Sequence, residues 1–200
     1  MINTLPVAFK HSTGPLLLAM ICSLLFFLEP RSGDLLAFDR YAIDAYETWR
    51  LLSSSVVHTN GYHVLLNLAG LFLLWALHGE LYKPVWFTKL FVWCAFGTSI
   101  GIYYYSPNMI WYAGMSGALH GMFIWGACMD IQRGMKSGWL LLIGVIIKLA
   151  HEQYAGSSES IASLIDANVA VDSHLYGALS GLLLYVLPTS RQKLQTALRS

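Results

Sequence analysis

The stretch Gly114-Met115-Ser116-Gly117-Ala118-Leu119-His120-Gly121 opens one of several apolar segments in this chain of 200 residues. Gly117 and Gly121 are four positions apart, and small residues at this spacing let two membrane helices pack with their backbones close together. The same spacing recurs at Gly177 and Gly181. We therefore predict a helical bundle in which the helix starting near residue 114 packs against the helix that carries Gly177 and Gly181.

Composition places the whole chain in a membrane. Hydrophobic residues make up 56% of the sequence and charged residues only 12%, and the mean hydropathy is +0.54, values that are unusual for a soluble domain. Six segments approach the ~20 apolar residues that cross a hydrocarbon core. These predicted spans are residues 12–28, 60–79, 85–105, 114–132, 138–155 and 168–187. We expect residues 1–200 to form one domain, an all-α membrane protein with a six-transmembrane-helix bundle.

Basic residues are distributed unevenly between the loops, which predicts the orientation, because cytoplasmic loops are enriched in Lys and Arg. With six spans, one side of the membrane carries Lys10, Lys83, Lys89, Arg133, Lys136, Arg191, Lys193 and Arg199. The other side carries Arg31, Arg40 and Arg50. Both termini should therefore be cytoplasmic.

Charge and cysteine usage exclude several classes of function. A net charge of +1 predicts no nucleic-acid partner, because nucleic-acid-binding domains present strongly basic surfaces. Cys22, Cys94 and Cys128 lie in different apolar segments and lack the spacing of metal ligands. The sequence therefore indicates no disulfide framework, no metal site and no cofactor.

Polar residues occur within about two turns of the start of the second, fourth and sixth predicted helices. They are His63 and Asn67, Ser116, and His174. These three helices run in the same direction, so each polar group should lie within roughly 10 Å of the outer ends of the helices at ~1.5 Å per residue. The bundle should bring all four side chains into one layer.

This set of residues suits acyl transfer. A serine hydroxyl needs a base to become nucleophilic, and neutral histidine serves near pH 7, so Ser116 and His174 are the candidate dyad. Asp172 lies two residues before His174, about 200° away on a helix, and we expect it to face elsewhere. We assign no triad. His63, Asn67 and the backbone N–H of Ser116 are candidate donors to an oxyanion.

Four motifs, in this order along the chain, resemble those of the rhomboid intramembrane serine proteases. They are Trp49-Arg50, HTNGYHVLLN at residues 58–67, GMSG at 114–117 and HLYG at 174–177. The resemblance implies a six-helix rhomboid-like bundle in which Ser116 is the nucleophile and His174 the general base. It also implies that His63 and Asn67 contribute to the oxyanion site.

Further motifs resemble one bacterial branch of this family, the rhombosortases. These are His120 directly before Gly121, KLAHEQ at residues 148–153 and VDSHLYG at 171–177. That resemblance implies an enzyme of the bacterial inner membrane with its active site near the periplasmic face. Its substrates would be exported proteins anchored by a C-terminal signal, in which a Gly-Gly motif precedes a transmembrane helix and a basic tail. Transfer of the cleaved product to a lipid amine is a second possible outcome.

Four other polar residues are candidates for supporting or substrate-binding roles. His120 stands where many rhomboids carry an aromatic residue that stacks on the catalytic histidine. Lys148, His151 and Glu152 lie near the outer end of the fifth helix, level with the proposed site. Lys148 and Glu152 are four residues apart, and a simple salt bridge explains them as well as contact with a substrate tail or a lipid headgroup.

Other interpretations of these residues remain open at the level of sequence. Taken singly, Ser116, His63, Asn67 and His174 are hydrogen-bonding or close-packing residues between helices. His58 and Asn60 are expected at the outer interface of the membrane, where capping explains them at least as well as contact with a substrate. The alternatives to a rhombosortase are a general rhomboid protease acting on single-span membrane proteins, a non-catalytic rhomboid-like binding protein, and a transporter. A transporter should show repeats and interrupted helices, which the sequence lacks.

Overall fold

The computed structural model of the chain describes residues 5–187, which are mostly helical. The helices in chain order are α1 (Phe9–Phe26), α2 (Arg31–Leu36), α3 (Arg40–Asp44), α4 (Arg50–Ser53), α5 (Gly61–His78), α6 (Pro84–Tyr105), α7 (Ser116–Gln132), α8 (Lys136–Ala155), α9 (Glu159–Ile165) and α10 (Val171–Val186). Two short strands, β1 (Phe38–Asp39) and β2 (Trp111–Tyr112), pair antiparallel with Phe38 opposite Tyr112.

A long helix forms at each of the six apolar segments, namely α1, α5, α6, α7, α8 and α10. The observed helix bounds differ most from the predicted span bounds at the starts of two helices. α1 begins at Phe9 instead of residue 12, and α10 begins at Val171 instead of residue 168. By length and hydropathy, three helical stretches of the described chain qualify as membrane spans, and they are Phe9–Phe26, Gly61–Leu81 and Pro84–Tyr105. Arg191, Lys193 and Arg199, which contribute to the charge asymmetry, lie outside the described residues.

The other three long helices depart from a purely apolar span for identifiable reasons. α7 and α10 have only 17 and 16 residues, and each carries a histidine and several glycines. α8 has 20 residues but includes Lys136, Lys148 and Glu152. Polar groups inside a membrane are costly and commonly functional. The three long helices that do not qualify as spans by length and hydropathy are also helices that carry candidate site residues.

α7 lies at the centre of the bundle because its glycines admit neighbouring helices on several sides. A side chain at Gly121 would meet the carbonyl oxygen of Gly177 at 2.5 Å and the Sγ atom of Cys94 at 2.8 Å. A side chain at Gly181 would collide with the backbone of Gly121. The predicted small-residue contact between these two helices is therefore confirmed, and the α7 and α10 backbones touch directly.

A buried polar pair joins α5 and α7 at the end of the bundle away from Ser116. The Nε2 atom of His78 lies 3.2 Å from a carboxylate oxygen of Asp130, and both side chains are almost fully buried. Gly126 packs against the imidazole of His78. Nothing in the sequence distinguishes this pair from ordinary polar residues near a helix end.

The segment between α1 and α5 is more ordered than a simple external loop. It contains α2, α3, α4 and β1, which the all-α six-helix prediction omitted. Arg40 donates hydrogen bonds to the carbonyl oxygens of Ile102, Tyr103, Ser106 and Met109, at and beyond the end of α6. Carbonyl groups at a helix C-terminus lack partners within the helix, so this guanidinium caps α6.

Arg50 of the Trp49-Arg50 motif has a similar structural task. It is buried and donates to the carbonyl oxygens of Ala37 and Asp34, while Glu47 pairs with its Nε atom at 2.7 Å. Two of the three arginines that oppose the charge asymmetry therefore satisfy backbone carbonyl groups, Arg40 at the end of α6 and Arg50 within this segment. They are not free surface charge.

We predict that Gly177→Ala separates α7 from α10, because the new methyl group has no room beside the carbonyl of Gly117. Overpacking of this kind costs about 1–3 kcal/mol, so the thermal unfolding midpoint in detergent should fall. The matched control is Gly144→Ala in α8, where nothing lies within 4 Å of the added atom. That change should be neutral or stabilising by up to about 1 kcal/mol. Equal midpoints for the two variants would contradict the close contact.

Candidate active site

Ser116 and His174 meet at the first turns of α7 and α10. The Oγ atom of Ser116 lies 3.0 Å from the Nε2 atom of His174. Ser116 is the first residue of α7, and it follows a turn in which Gly114 adopts a φ of 114°, a backbone conformation that favours glycine. His174 is in the first turn of α10 and is 5% exposed. The hydroxyl and the imidazole are thus in hydrogen-bond contact, with the histidine buried and the serine half-buried.

His120 lies one helical turn below Ser116 and stacks on His174. The two imidazole centroids are 4.2 Å apart and the ring planes differ by 19°. The Nδ1 atom of His120 lies 2.7 Å from the carbonyl oxygen of Ser116, to which a protonated Nδ1 donates. This bond directs His120 to the backbone of Ser116 and not to its hydroxyl, so of the two histidines His174 is the one placed to accept the serine proton.

Glu152 contacts the opposite side of the His174 ring. One of its carboxylate oxygens lies 2.9 Å from the Nδ1 atom of His174, and the other lies 2.5 Å from the Nζ atom of Lys148. Asp172 faces away, as expected, and accepts a hydrogen bond of 2.5 Å from Ser106. The contact of Glu152 with His174 is not one that the sequence predicted.

His63 and Asn67 form a polar wall beside Gly114. A side chain on Gly114 would meet the Nε2 atom of His63 at 2.6 Å and would lie 3.6 Å from the Nδ2 atom of Asn67. The Nδ1 atom of His63 lies 3.0 Å from the hydroxyl oxygen of Thr59 and 3.4 Å from its backbone nitrogen, so Thr59 holds the ring in place. The Nε2 edge of His63 and the amide of Asn67 therefore lie beside the backbone just before Ser116.

A cavity of about 240 Å³ opens beside these groups. Ser116, His63 and Tyr112 line one side of it, and residues 167–170 line the other. α9 partly covers it, because Thr59 donates to the carbonyl of Ile165 at 2.7 Å and Asn60 donates to the carbonyl of Leu164 at 3.1 Å. This space is adjacent to the Ser116 hydroxyl and has room for a few small side chains.

Comparison with known proteins assigns the chain to a family. A family model described as Rhomboid domain matches residues 45–191, almost three quarters of the sequence. The chain belongs to the rhomboid family. Rhomboids are generally intramembrane serine proteases that act on membrane-protein substrates within the bilayer. No curated protein matches the chain significantly.

A metal ion does not suit the cluster of polar side chains in this rhomboid. His120, Glu152 and His174 each offer a ligand atom within 4.8 Å of the others. The two imidazoles are stacked nearly parallel, however, and the lone pairs of a ring nitrogen lie in the ring plane, so they cannot converge on one ion. Both oxygens of Glu152 are also engaged already. The cluster is instead held by ring stacking, hydrogen bonds and charge pairing with Ser116 and Lys148.

The remaining candidate residues of the rhomboid take different places. Asn60 caps α5 by accepting from the backbone N–H of His63 at 2.9 Å, which confirms its capping role. His58 is 1% exposed within the protein and packs edge-on against His63 at 5.0 Å, and the expectation that it lies at the outer interface of the membrane stays a prediction. His151 is exposed on α8, and its suggested contact with substrate stays a prediction.

Two groups near the site stay neutral because they are buried. Burial lowers the pKa of His58 to about 3, and the neighbouring His63 adds to this effect. Burial likewise raises the pKa of Tyr112 to about 12, and its hydroxyl donates to the carbonyl of Gly114 at 2.7 Å. The turn that leads to Ser116 is therefore held by neutral groups.

We predict that His58 makes the stability of the protein fall in acid. Below about pH 6.5 the unfolded chain binds a proton at His58 that the folded chain does not bind, so stability decreases as the pH falls. The contribution approaches about 2 kcal/mol at pH 5. His58→Phe should therefore lose less thermal stability than the wild type between pH 7 and pH 5 in detergent.

The control for this experiment is His151→Phe, the same change at an exposed position. It should keep the wild-type pH dependence. If His58→Phe and His151→Phe lose stability equally in acid, the assigned role of His58 is wrong.

Proposed function

We propose that this rhomboid is an active serine endopeptidase with Ser116 as its nucleophile and His174 as its general base. The observation that carries the proposal is the 3.0 Å separation of the Ser116 Oγ and His174 Nε2 atoms. Nε2 removes the hydroxyl proton as Oγ attacks the substrate carbonyl, and then delivers that proton to the leaving amine. The product is an ester between Ser116 and the N-terminal part of the substrate.

His63, Asn67 and the backbone N–H of Ser116 stabilise the oxyanion that forms during this attack. The support for this role is their position, because the Nε2 edge of His63 and the amide of Asn67 lie beside the turn that leads to Ser116. The N–H of Ser116 lies at the start of α7, where the first N–H groups have no intrahelical partner and the helix dipole favours negative charge. Each such donor contributes about 3–4 kcal/mol in other serine proteases.

We further propose that all six long helices cross the membrane as one domain, with both termini in the cytoplasm and the site near the periplasmic face of a bacterial inner membrane. Two observations support this orientation. The basic residues fall mainly on one side of a six-span arrangement. In that arrangement Ser116, His63 and His174, which lie near the starts of their helices, would all be on the opposite side.

The substrate class that we propose is that of rhombosortases, exported proteins with a C-terminal Gly-Gly sorting signal ahead of a transmembrane helix. Support comes from the motifs around His120, Lys148–Gln153 and Val171–Gly177. Glycine lowers helix stability by about 1 kcal/mol relative to alanine, so a Gly-Gly segment unwinds readily next to Ser116. Water then hydrolyses the ester, or a lipid amine attacks it and forms an amide.

A general rhomboid protease is the second candidate. The family match supports it directly, since that match extends to the rhomboid domain without distinguishing a branch. Its substrates are single-span membrane proteins without a C-terminal sorting signal. The chemistry at Ser116 is identical in the two cases.

We predict that a fluorophosphonate probe labels the full-length protein at Ser116. Ser116→Ala removes the attacking oxygen and His174→Ala removes the base, so both should reduce labelling to background in detergent or in nanodiscs. Ser163→Ala, at an exposed serine of α9, is the matched control and should label like the wild type. Labelling that persists in Ser116→Ala would reject the proposed nucleophile.

The substrate class predicts a specific change in membrane proteins. Candidate proteins with a C-terminal Gly-Gly signal should lose that signal when co-expressed with the wild type and keep it with Ser116→Ala, as measured by mass spectrometry of their C-termini. A mass increase on the new terminus would indicate transfer to an amine instead of hydrolysis. Intact Gly-Gly signals together with cleavage of other single-span proteins would favour the general rhomboid.

A further inference from the structure

One face of α8 carries a carboxylate where the pattern calls for an apolar side chain. Val145, Leu149 and Glu152 stand at positions i, i+4 and i+7, which share a helix face. Val145 and Leu149 are buried against Ile124, Cys128 and Ala178 of α7 and α10. Glu152 continues this row, and its side chain is only 12% exposed. Burial of a carboxylate is costly unless each oxygen has a partner.

Each oxygen of Glu152 has a partner of a different kind. One oxygen pairs with Lys148 at 2.5 Å along α8 itself. The other lies 2.9 Å from His174 on α10. The two nitrogens of the His174 ring therefore contact Glu152 on one side and Ser116 on the other.

A salt bridge on the surface of α8 explains only half of this geometry. A Lys and a Glu four residues apart commonly pair on an exposed helix face. Here the lysine side chain is 48% exposed while that of Glu152 is 12% exposed, so the pair is not simply at the surface. The salt bridge also leaves unexplained why the second oxygen is aimed at a histidine on another helix.

We propose that Glu152 is a positioning residue for His174, completing a Ser116–His174–Glu152 triad inside the membrane domain. This inference rests on the proposed function. Glu152 accepts a hydrogen bond from the Nδ1–H group of His174, which keeps Nε2 free of a proton and directed at Ser116. It also stabilises the imidazolium that forms when Nε2 takes the serine proton, while the proton itself stays on His174.

Lys148 has a defined part in this arrangement. By pairing with the second oxygen, it gives the largely buried carboxylate of Glu152 a partner of opposite charge in addition to His174. The groups that face His174 from the neighbouring helices are Ser116 and His120 of α7, His63 of α5 and Glu152 of α8. Among these, Glu152 is the only acid, so it supplies the negative charge that balances the imidazolium.

The test is the kinetics of fluorophosphonate labelling of the full-length protein in nanodiscs. Glu152→Gln preserves the size of the side chain but removes its charge, and its amide can donate to Nδ1 and so favour the wrong tautomer. The labelling rate at saturating probe should fall at least about tenfold, while the half-saturating probe concentration stays unchanged. The low-pH limb of the rate profile should move to lower pH, because loss of the carboxylate disfavours the imidazolium.

Asp172→Asn is the matched control, the same carboxylate-to-amide change on the helix of His174. Its side chain contacts Ser106 and not His174, so its labelling rate and pH profile should stay like those of the wild type. Loss of rate in Asp172→Asn equal to that in Glu152→Gln would overturn the assignment of Glu152.

The double variant Lys148→Met/Glu152→Gln separates positioning from a structural salt bridge. It removes both charges together, so it folds without a buried unpaired charge, and thermal unfolding in the same detergent checks this. A positioning role predicts that the double variant labels as slowly as Glu152→Gln. Recovery of the wild-type rate would show that the pair is only a salt bridge and would overturn the proposal.

Two other outcomes separate this inference from the proposed function. If the wild type labels and Glu152→Gln labels equally fast with the same pH profile, the triad is wrong and the Ser116–His174 dyad stands. If the wild type does not label, the proposed protease function is rejected, and the triad with it.

Discussion

The direct contact between the backbones of α7 and α10 is the constraint on which the rest of the structure depends. Gly117 and Gly121 on α7 face Gly177 and Gly181 on α10, and an added methyl group at Gly177 or Gly181 would collide with the opposing backbone. Ser116 directly precedes the first of these glycines, and His174 lies three residues before Gly177. Because the helices touch, a short serine side chain reaches the imidazole.

The close contact also determines where the other polar groups sit. His120 is one turn along α7 and therefore stacks on the ring of His174. α8 packs against the outer side of α7 and α10 through Val145 and Leu149, and this brings Glu152 level with the same ring. Each nitrogen of His174 is thus satisfied by a group from a different helix, as expected where water is scarce and unpaired polar groups are costly.

The segment between α1 and α5 stabilises the bundle by a different means. The guanidinium groups of Arg40 and Arg50 donate hydrogen bonds to backbone carbonyls. Arg40 thereby connects this segment to the end of α6, and Arg50 connects parts of the segment to one another. Tyr112 and the turn at Gly114 then set the start of α7. The position of Ser116 therefore depends on a scaffold of carbonyl and hydroxyl contacts outside the long helices, in addition to the contact of α7 with α10.

The sequence by itself was sufficient to predict the six long helices, the glycine faces of α7 and α10, and the proximity of Ser116 to His174, because hydropathy, glycine spacing and helix direction are local properties. It also predicted that Asp172 faces away, from the rotation per residue of a helix. Sequence reasoning did not place Glu152 on His174, although its position seven residues after Val145 on the buried face of α8 was a usable signal. Sequence reasoning likewise did not predict the short helices and the strand within residues 29–59 or the burial of His58. Only the tertiary structure decided these points, because they depend on which helices become neighbours and how far each turns about its axis.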